Sequence, residues 1–397
     1  MKSLLSGVKV LDLSRMLAGP YGSLMLADLG AEVIKIEEPD GGDPTRNFLE
    51  EGAVNNHSGY FVSCNRGKKS VTIDLRNPKG REIFYELVKL ADVVYDNFRP
   101  SALAKMGADY ETLKKIKPNI ISCSISSFGH TVEDPDKPAF DLTIQALSGA
   151  MSITGEPGRP PVRLGIPLGD QAGGMYAAFA VAAALYHREK TGEGQKIDIS
   201  LLDCMIALLT YMGQYYLLTG KVPQPIGSGH QNVVPYQAFK TADGYITLST
   251  YVPKFWNGVC KALGREDLID HPQYATNALR KENREVLIPL LESEFQKMPS
   301  EYWLRRLKEQ DVPSANVNTV DKALAEQDVL ARNMVVDIDH PIIGRYKTIG
   351  NPVKLSGVPK EEFAPSPLLG QHTEEVLRDW LGYSAEKIAQ LRAEKII

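Results

Sequence analysis

The feature that most constrains this 397-residue chain is the alternation, through its first two hundred residues, of short apolar runs with helical patterns. Residues 8–13, 32–37, 71–75, 92–95 and 120–124 read as strands, with helices over 17–29, 79–90 and 101–115 between them. Short apolar strands separated by helices of ten or more residues build βαβ units, which predicts an α/β, Rossmann-like domain on a parallel sheet. In such sheets ligands bind beyond the C-terminal ends of the strands. The chemistry is therefore sought at those ends.

The length exceeds what one hydrophobic core usually serves, so two domains are expected. The larger takes residues 1–224 and 331–397; the smaller, an α+β unit, takes 225–330. The smaller one opens with the loop Gly227-Ser228-Gly229-His230 and continues with a hairpin pattern around Asp243-Gly244. Forty-five basic residues against forty-nine acidic ones give a net charge of −4, which argues against nucleic acid as a partner. Four cysteines without CxxC or metal-type spacing suit a reducing cytosol and no metal site. The start of the sequence has no secretory pattern, and no stretch approaches the ~20 apolar residues of a membrane span. A cytoplasmic protein without a membrane partner is expected.

One stretch carries a carboxylate in an unusual setting: Pro167-Leu168-Gly169-Asp170-Gln171-Ala172-Gly173-Gly174-Met175. An apolar run to Tyr186 and a basic turn stopped by Gly192 follow, so Asp170 opens a small-residue-rich, buried helix. Near the N-cap its carboxylate would accept otherwise unpaired N–H groups, and the helix end would favour its ionised form. The two glycines behind it allow another backbone or a ligand to come close. After the first strand, Ser14-Arg15-Met16-Leu17-Ala18-Gly19-Pro20 lacks the GxGxxG dinucleotide fingerprint. Basic residues gather near the strand ends instead: Arg15, Arg46, Arg66, Lys68, Lys69, Arg76, Arg99, Lys105 and Lys137. Such a set suits phosphates. Asn97-Phe98-Arg99-Pro100 adds an amide, a ring and a guanidinium able to hold an adenine and its phosphate. A nucleotide-like, phosphate-bearing ligand without the nicotinamide signature points to coenzyme A.

The opening Gly7-Val8-Lys9-Val10-Leu11-Asp12-Leu13-Ser14-Arg15-Met16-Leu17-Ala18-Gly19-Pro20 resembles the start of class III CoA-transferases, the formyl-CoA and crotonobetainyl-CoA transferase family. So do Leu29-Gly30-Ala31-Glu32-Val33-Ile34-Lys35-Ile36-Glu37, Asn97-Phe98-Arg99-Pro100, Lys190-Thr191-Gly192-Glu193-Gly194-Gln195 and Leu369-Gly370-Gln371-His372-Thr373-Glu374-Glu375-Val376-Leu377. The resemblance spans nearly the whole chain, with the motifs in order.

The resemblance implies that Asp170 is a nucleophile. Its carboxylate attacks a thioester to form a mixed anhydride, and an aspartyl-CoA thioester follows. Oxyanion donors are then expected beside Gly173-Gly174 or in a glycine loop, with 227–230 as a lid. It also implies CoA contacts at Ala18, Ile73, Asp74, Leu75, Arg76, Asn97, Phe98, Arg99, Lys105, Lys137, Pro138, Ala139 and Phe140, with Arg15 meeting a phosphate. No cofactor would be permanently bound: coenzyme A enters as the acyl-CoA substrate, a carboxylic acid accepts it, and two copies interlock as a homodimer. The α-methylacyl-CoA racemases of the same fold carry a His where Phe140 stands, so transfer is favoured over racemisation. A non-catalytic acyl-CoA-binding protein is the other alternative. Phe48 stands where formyl-CoA:oxalate enzymes have Trp, which weighs against strict oxalate use, and Tyr60, Met16 and Leu17 are candidates for an acyl pocket.

Overall fold

Six strands form one sheet: β1 (Lys9–Asp12), β2 (Glu32–Glu37), β3 (Lys69–Thr72), β4 (Val93–Asp96), β5 (Ile121–Ser126) and β6 (Lys196–Ser200). All pairings are parallel, in the order β3-β2-β1-β4-β5-β6. The order reverses between β1 and β4, which creates a crevice at their C-terminal ends. This is a computed structural model, and it describes residues 3–51, 53–357 and 362–397. Through residue 220 the α-helices are α1 (Ala18–Asp28), α2 (Gly59–Asn65), α3 (Pro78–Leu90), α4 (Pro100–Met106), α5 (Tyr110–Ile116), α6 (Asp141–Leu147), α7 (Leu168–Thr191), α8 (Leu201–Leu208) and α9 (Thr210–Thr219).

The period-two alternation of each strand feeds two cores, one on each face of the sheet. Val10, Val33, Val93 and Tyr95 pack with Ala18, Leu26, Ala177 and Val181 of α1 and α7. Their sequence neighbours Leu11, Ile34 and Val94 pack with Phe84, Leu87 and Leu113 of α3 and α5 and with Val376 and Leu377. Each such side chain, fully buried, contributes about 1.5–3 kcal/mol. Between the helices α1 and α7, glycine is obligatory. A Cβ on Gly174 would lie 2.6 Å from the Ala18 carbonyl oxygen, and one on Gly22 would lie 2.6 Å from the Gly174 oxygen.

Three local expectations are corrected. β6 was not foreseen, because it lies at the sheet edge with Lys196 and Asp198 outward and lacks a continuous apolar run. The helix expected over 101–115 is two helices, α4 and α5, broken where Gly107 turns left-handed at φ +70°. Nor is α7 wholly buried, since Phe179 is 73% and Tyr186 68% exposed.

Contacts divide the chain into two units, Met1–Ala150 with Arg163–Gly220 and Leu330–Ile397, and Met151–Val162 with Lys221–Val329. The second unit holds an antiparallel sheet of β7 (Tyr236–Lys240), β8 (Tyr245–Ser249) and β9 (Ser314–Asn316). The β7–β8 turn runs through Asp243-Gly244, where the Asp243 carboxylate accepts the Ser300 N–H at 2.8 Å. Phe239, Trp256, Phe295 and Trp303 form its core. Among the described residues no single helix is long and apolar enough to cross a membrane. Only α8 and α9 together reach that length and composition, and they bend by 76°.

Candidate functional site

α7 starts after Pro167, which has no side-chain cap to offer. The cap comes from α6 instead: Asp141 Oδ1 accepts the N–H of Gly169 at 2.8 Å and that of Asp170 at 3.3 Å. Gln145 Nε2 donates to the other Asp141 oxygen at 2.6 Å, and Gln145 Oε1 accepts the Leu164 N–H at 2.9 Å. One buried carboxylate thus ties down both the first turn of α7 and the strap that leads into it.

Asp170 is therefore not the cap; it sits at the third helical position. Its carboxyl group takes no hydrogen bond or ion pair among the described residues. Burial, and then the Asp141 charge, push its pKa up to about 7. The expectation that the helix end would hold it ionised is corrected: the N–H groups that would do so already serve Asp141.

Gly173 and Gly174 also differ from expectation. They lie at the sixth and seventh helical positions, where N–H groups bond to carbonyls one turn back, and both are buried. A Cβ on Gly173 would meet Leu201 at 2.3 Å, so the pair serves close packing and offers no oxyanion donors. The N-terminus of α1 is different, since Leu17 supplies no side-chain cap to its first N–H groups.

Asp170 lines a cavity of about 830 Å³ in the first unit. Of the sequence-predicted residues, Arg15, Ala18, Asn97, Phe98, Arg99, Lys137, Ala139 and Phe140 share that lining. Met16, Leu17 and Tyr60 line it too. Burial and the Asp170 charge push the Tyr60 hydroxyl up to about 12. Ile73, Asp74, Leu75 and Arg76 line a second cavity of about 40 Å³, which shares Arg15 and Phe98 with the first. Lys105 and Pro138 are exposed and line neither. Phe48 is 46% exposed, its ring edge-on to Tyr60 at 5.9 Å.

The Asn97-Phe98-Arg99 turn is engaged internally. Asn97 Oδ1 accepts the Arg15 N–H at 2.8 Å, and Asn97 Nδ2 donates to the Arg15 carbonyl at 2.7 Å. The Arg15 guanidinium lies 4.5 Å over the Phe98 ring. Neither the amide nor that ring face is open for an adenine in this conformation. Asp96 Oδ1 shapes the turn by accepting the Phe98 N–H at 3.0 Å, and full burial pushes its pKa up to about 7. The Asn97 clamp holds the loop in which Met16, a non-glycine residue, adopts φ +67°.

Several strand-end cations expected to meet phosphates are committed to internal pairs. Arg46 bonds Glu37 at 2.6 Å, Lys68 bonds Asp12 at 3.2 Å, and Lys69 bonds Glu32 and Glu375. Arg66 is paired with Asp28. Beneath the first loop, Lys35 Nζ bonds Asp43 at 2.9 Å and the Ser14 carbonyl at 2.6 Å. Its neighbour Lys68 is fully buried and lowered to about 8, by desolvation opposed chiefly by Asp12. Two charged residues of the lining, Asp141 and Arg163, were not among the sequence-predicted site residues. Nothing in the local sequence around Asp141 says that it caps another helix. Arg163 stood in a loop away from any strand end.

A parallel sheet, a carboxyl group lining a cavity beyond its strand ends, and a cationic rim define an α/β protein suited to anionic ligands. The model of CoA-transferase family III matches residues 5–373, and the chain belongs to that family of enzymes, whose common substrate is coenzyme A. It is 39% identical over 393 residues to the succinyl-CoA:glutarate CoA-transferase of Homo sapiens, covering 99% of this chain and 90% of the relative. It is 38% identical to the succinate–glutarate CoA-transferase of Agrobacterium fabrum, covering 94% and 95%. A CAIB/BAIF family protein of Brucella suis superposes with TM-score 0.86 at 37% identity, over 96% of this chain and all of that one.

Proposed function

We propose that this enzyme moves coenzyme A from a succinyl-CoA-type thioester to a free carboxylic acid through Asp170. The observation that carries the reading is the Asp170 carboxyl itself: within the cavity lining, without a hydrogen-bond partner among the described residues, and with its pKa raised to about 7. An oxygen not spent on donors keeps its nucleophilicity, and near neutral pH about half is ionised.

Asp170 Oδ attacks the thioester carbonyl, the C–S bond breaks, and CoA leaves as thiolate with a mixed anhydride behind it. The thiolate then attacks the aspartyl carbonyl and expels the donor carboxylate, leaving an aspartyl-CoA thioester. The acceptor carboxylate repeats both steps in reverse. No net proton is consumed. The uncapped N–H groups at the start of α1, beside Ala18 in the same lining, are the oxyanion donors of this reading. CoA lies along Arg15, Ala18, Asn97 to Arg99, Lys137, Ala139 and Phe140, its nucleotide end toward Ile73, Asp74, Leu75 and Arg76. The apolar side chains exposed on α8 and α9, Ile206, Leu217 and Leu218 among them, support a homodimer.

Racemisation lacks the histidine that would pair with Asp170 here. Among the described residues no histidine lines the cavity, and Phe140 is 77% exposed with no proton to move. Succinyl-CoA followed by hydroxylamine should leave a hydroxamate in tryptic peptide 164–188, absent in Asp170→Ala, which binds CoA but transfers none. Full activity of Asp170→Ala overturns the reading. Exchange of the α-proton without any adduct would support racemisation instead.

A further inference from the structure

Four cations line the large cavity, and they fall into two groups. Arg15 lies over Phe98 at 4.5 Å, Arg99 follows Phe98 directly, and the Lys137 loop joins the same corner through Asp136, which accepts the Ser101 N–H at 3.1 Å. Those three surround the turn where CoA is assigned above. Arg163 stands apart. It begins the strap that ends at Asp170, and its neighbour Leu164 is fixed through Gln145 to Asp141, the carboxylate that caps the Asp170 helix. The guanidinium has no hydrogen bond or ion pair among the described residues. The same lining holds the apolar side chains of Leu142, Pro167 and Leu201.

We propose that Arg163 selects dicarboxylic acyl groups and acceptors by binding the carboxylate distal to the one that reacts at Asp170. The inference rests on Asp170 as the acylated residue and adds the substrate class and the group that reads it. A planar guanidinium matches a carboxylate with two parallel N–H···O bonds. Apolar walls accommodate the methylene chain between the two carboxylates, and an eight-residue strap tied down at both ends fixes the spacing. A monocarboxylate of equal length forfeits the pair and leaves the cation unmatched, so discrimination against it follows.

The test compares succinyl-CoA with glutarate against butyryl-CoA with pentanoate, in the wild type, Arg163→Met and Arg163→Lys. The expected result is a fall of about 50-fold or more in the dicarboxylate-to-monocarboxylate ratio of kcat/KM for Arg163→Met, with Lys recovering part of it. Formation of the Asp170 adduct from butyryl-CoA reports folding of each variant. An unchanged ratio with the adduct still forming overturns the assignment of Arg163 alone. Loss of the butyryl adduct in Arg163→Met but not in the wild type shows a general role and overturns it as well. Absence of any Asp170 adduct in the wild type removes the parent reading, and this inference with it.

Discussion

Asp141 holds the backbone of Asp170 through its N–H at 3.3 Å while raising the pKa of the Asp170 side chain by its charge. One carboxylate thus holds the start of the Asp170 helix and adds to burial in raising the pH at which Asp170 ionises. Capping normally draws the helix's own acidic residue to the N–H groups; here the cap is borrowed, which leaves the Asp170 oxygens free.

That arrangement predicts a pH dependence. With the folded pKa raised to about 7, ionised Asp170 is a minority below that pH, so under the proposed mechanism transfer should rise as pH increases through about 7. Asp141→Asn keeps an oxygen acceptor but removes the charge, and should move the acidic limb of kcat/KM downward by on the order of one unit. A limb that stays in place would show that Asp141 acts by capping alone.

Stability should respond in the opposite sense. A carboxyl group whose folded pKa exceeds its unfolded value destabilises the fold as pH rises between the two, here from 3.8 to about 7. Asp170→Asn should be more stable than the wild type by up to about 4 kcal/mol above pH 7, the advantage vanishing toward pH 4. Melting temperatures across that range provide the check.

The Asn97 clamp on Arg15 should matter for binding more than for chemistry. Asn97→Ala removes both bonds to the Arg15 backbone and releases the loop strained at Met16. KM for acyl-CoA should rise about tenfold with kcat changed little, and stability should fall by about 1–2 kcal/mol. Steady-state kinetics with urea unfolding separate the two effects; an unaltered KM would remove the positioning role.

The buried Lys35–Asp43 pair supports the same loop from below, with both side chains fully buried. Lys35→Met strands the Asp43 charge and should cost about 3–5 kcal/mol. The double variant Lys35→Met with Asp43→Asn should recover much of that loss. Denaturant midpoints for the three proteins decide the matter.

The parallel sheet was legible because each strand is a compact apolar run and each crossover carries a helical period, and local pattern suffices for both. β6 was hidden because an edge strand with one outward face has no such run, and α4–α5 because only the φ of Gly107 separates one helix from two. The resemblance supplied the weight on Asp170, whose Pro-Leu-Gly-Asp setting is a local string. What the strand-end cations do was not legible. Arg46, Arg66, Lys68 and Lys69 meet their carboxylates across gaps of 9 to 306 residues, and a side chain already paired looks no different in sequence from a free one.

By itself, then, the sequence determined the layered α/β architecture, the end of the sheet where ligands go, and the one carboxylate at the head of a glycine-bearing helix. Tertiary structure decided the rest. It made Asp141 the cap, left Asp170 without a partner among the described residues and with its pKa pushed up to about 7, turned the glycine pair into a helix contact, and put Arg163 in the cavity lining at the start of the strap. The physical reason is that protonation, partner and exposure depend on what lies within a few ångströms, and most of those neighbours come from distant parts of the chain.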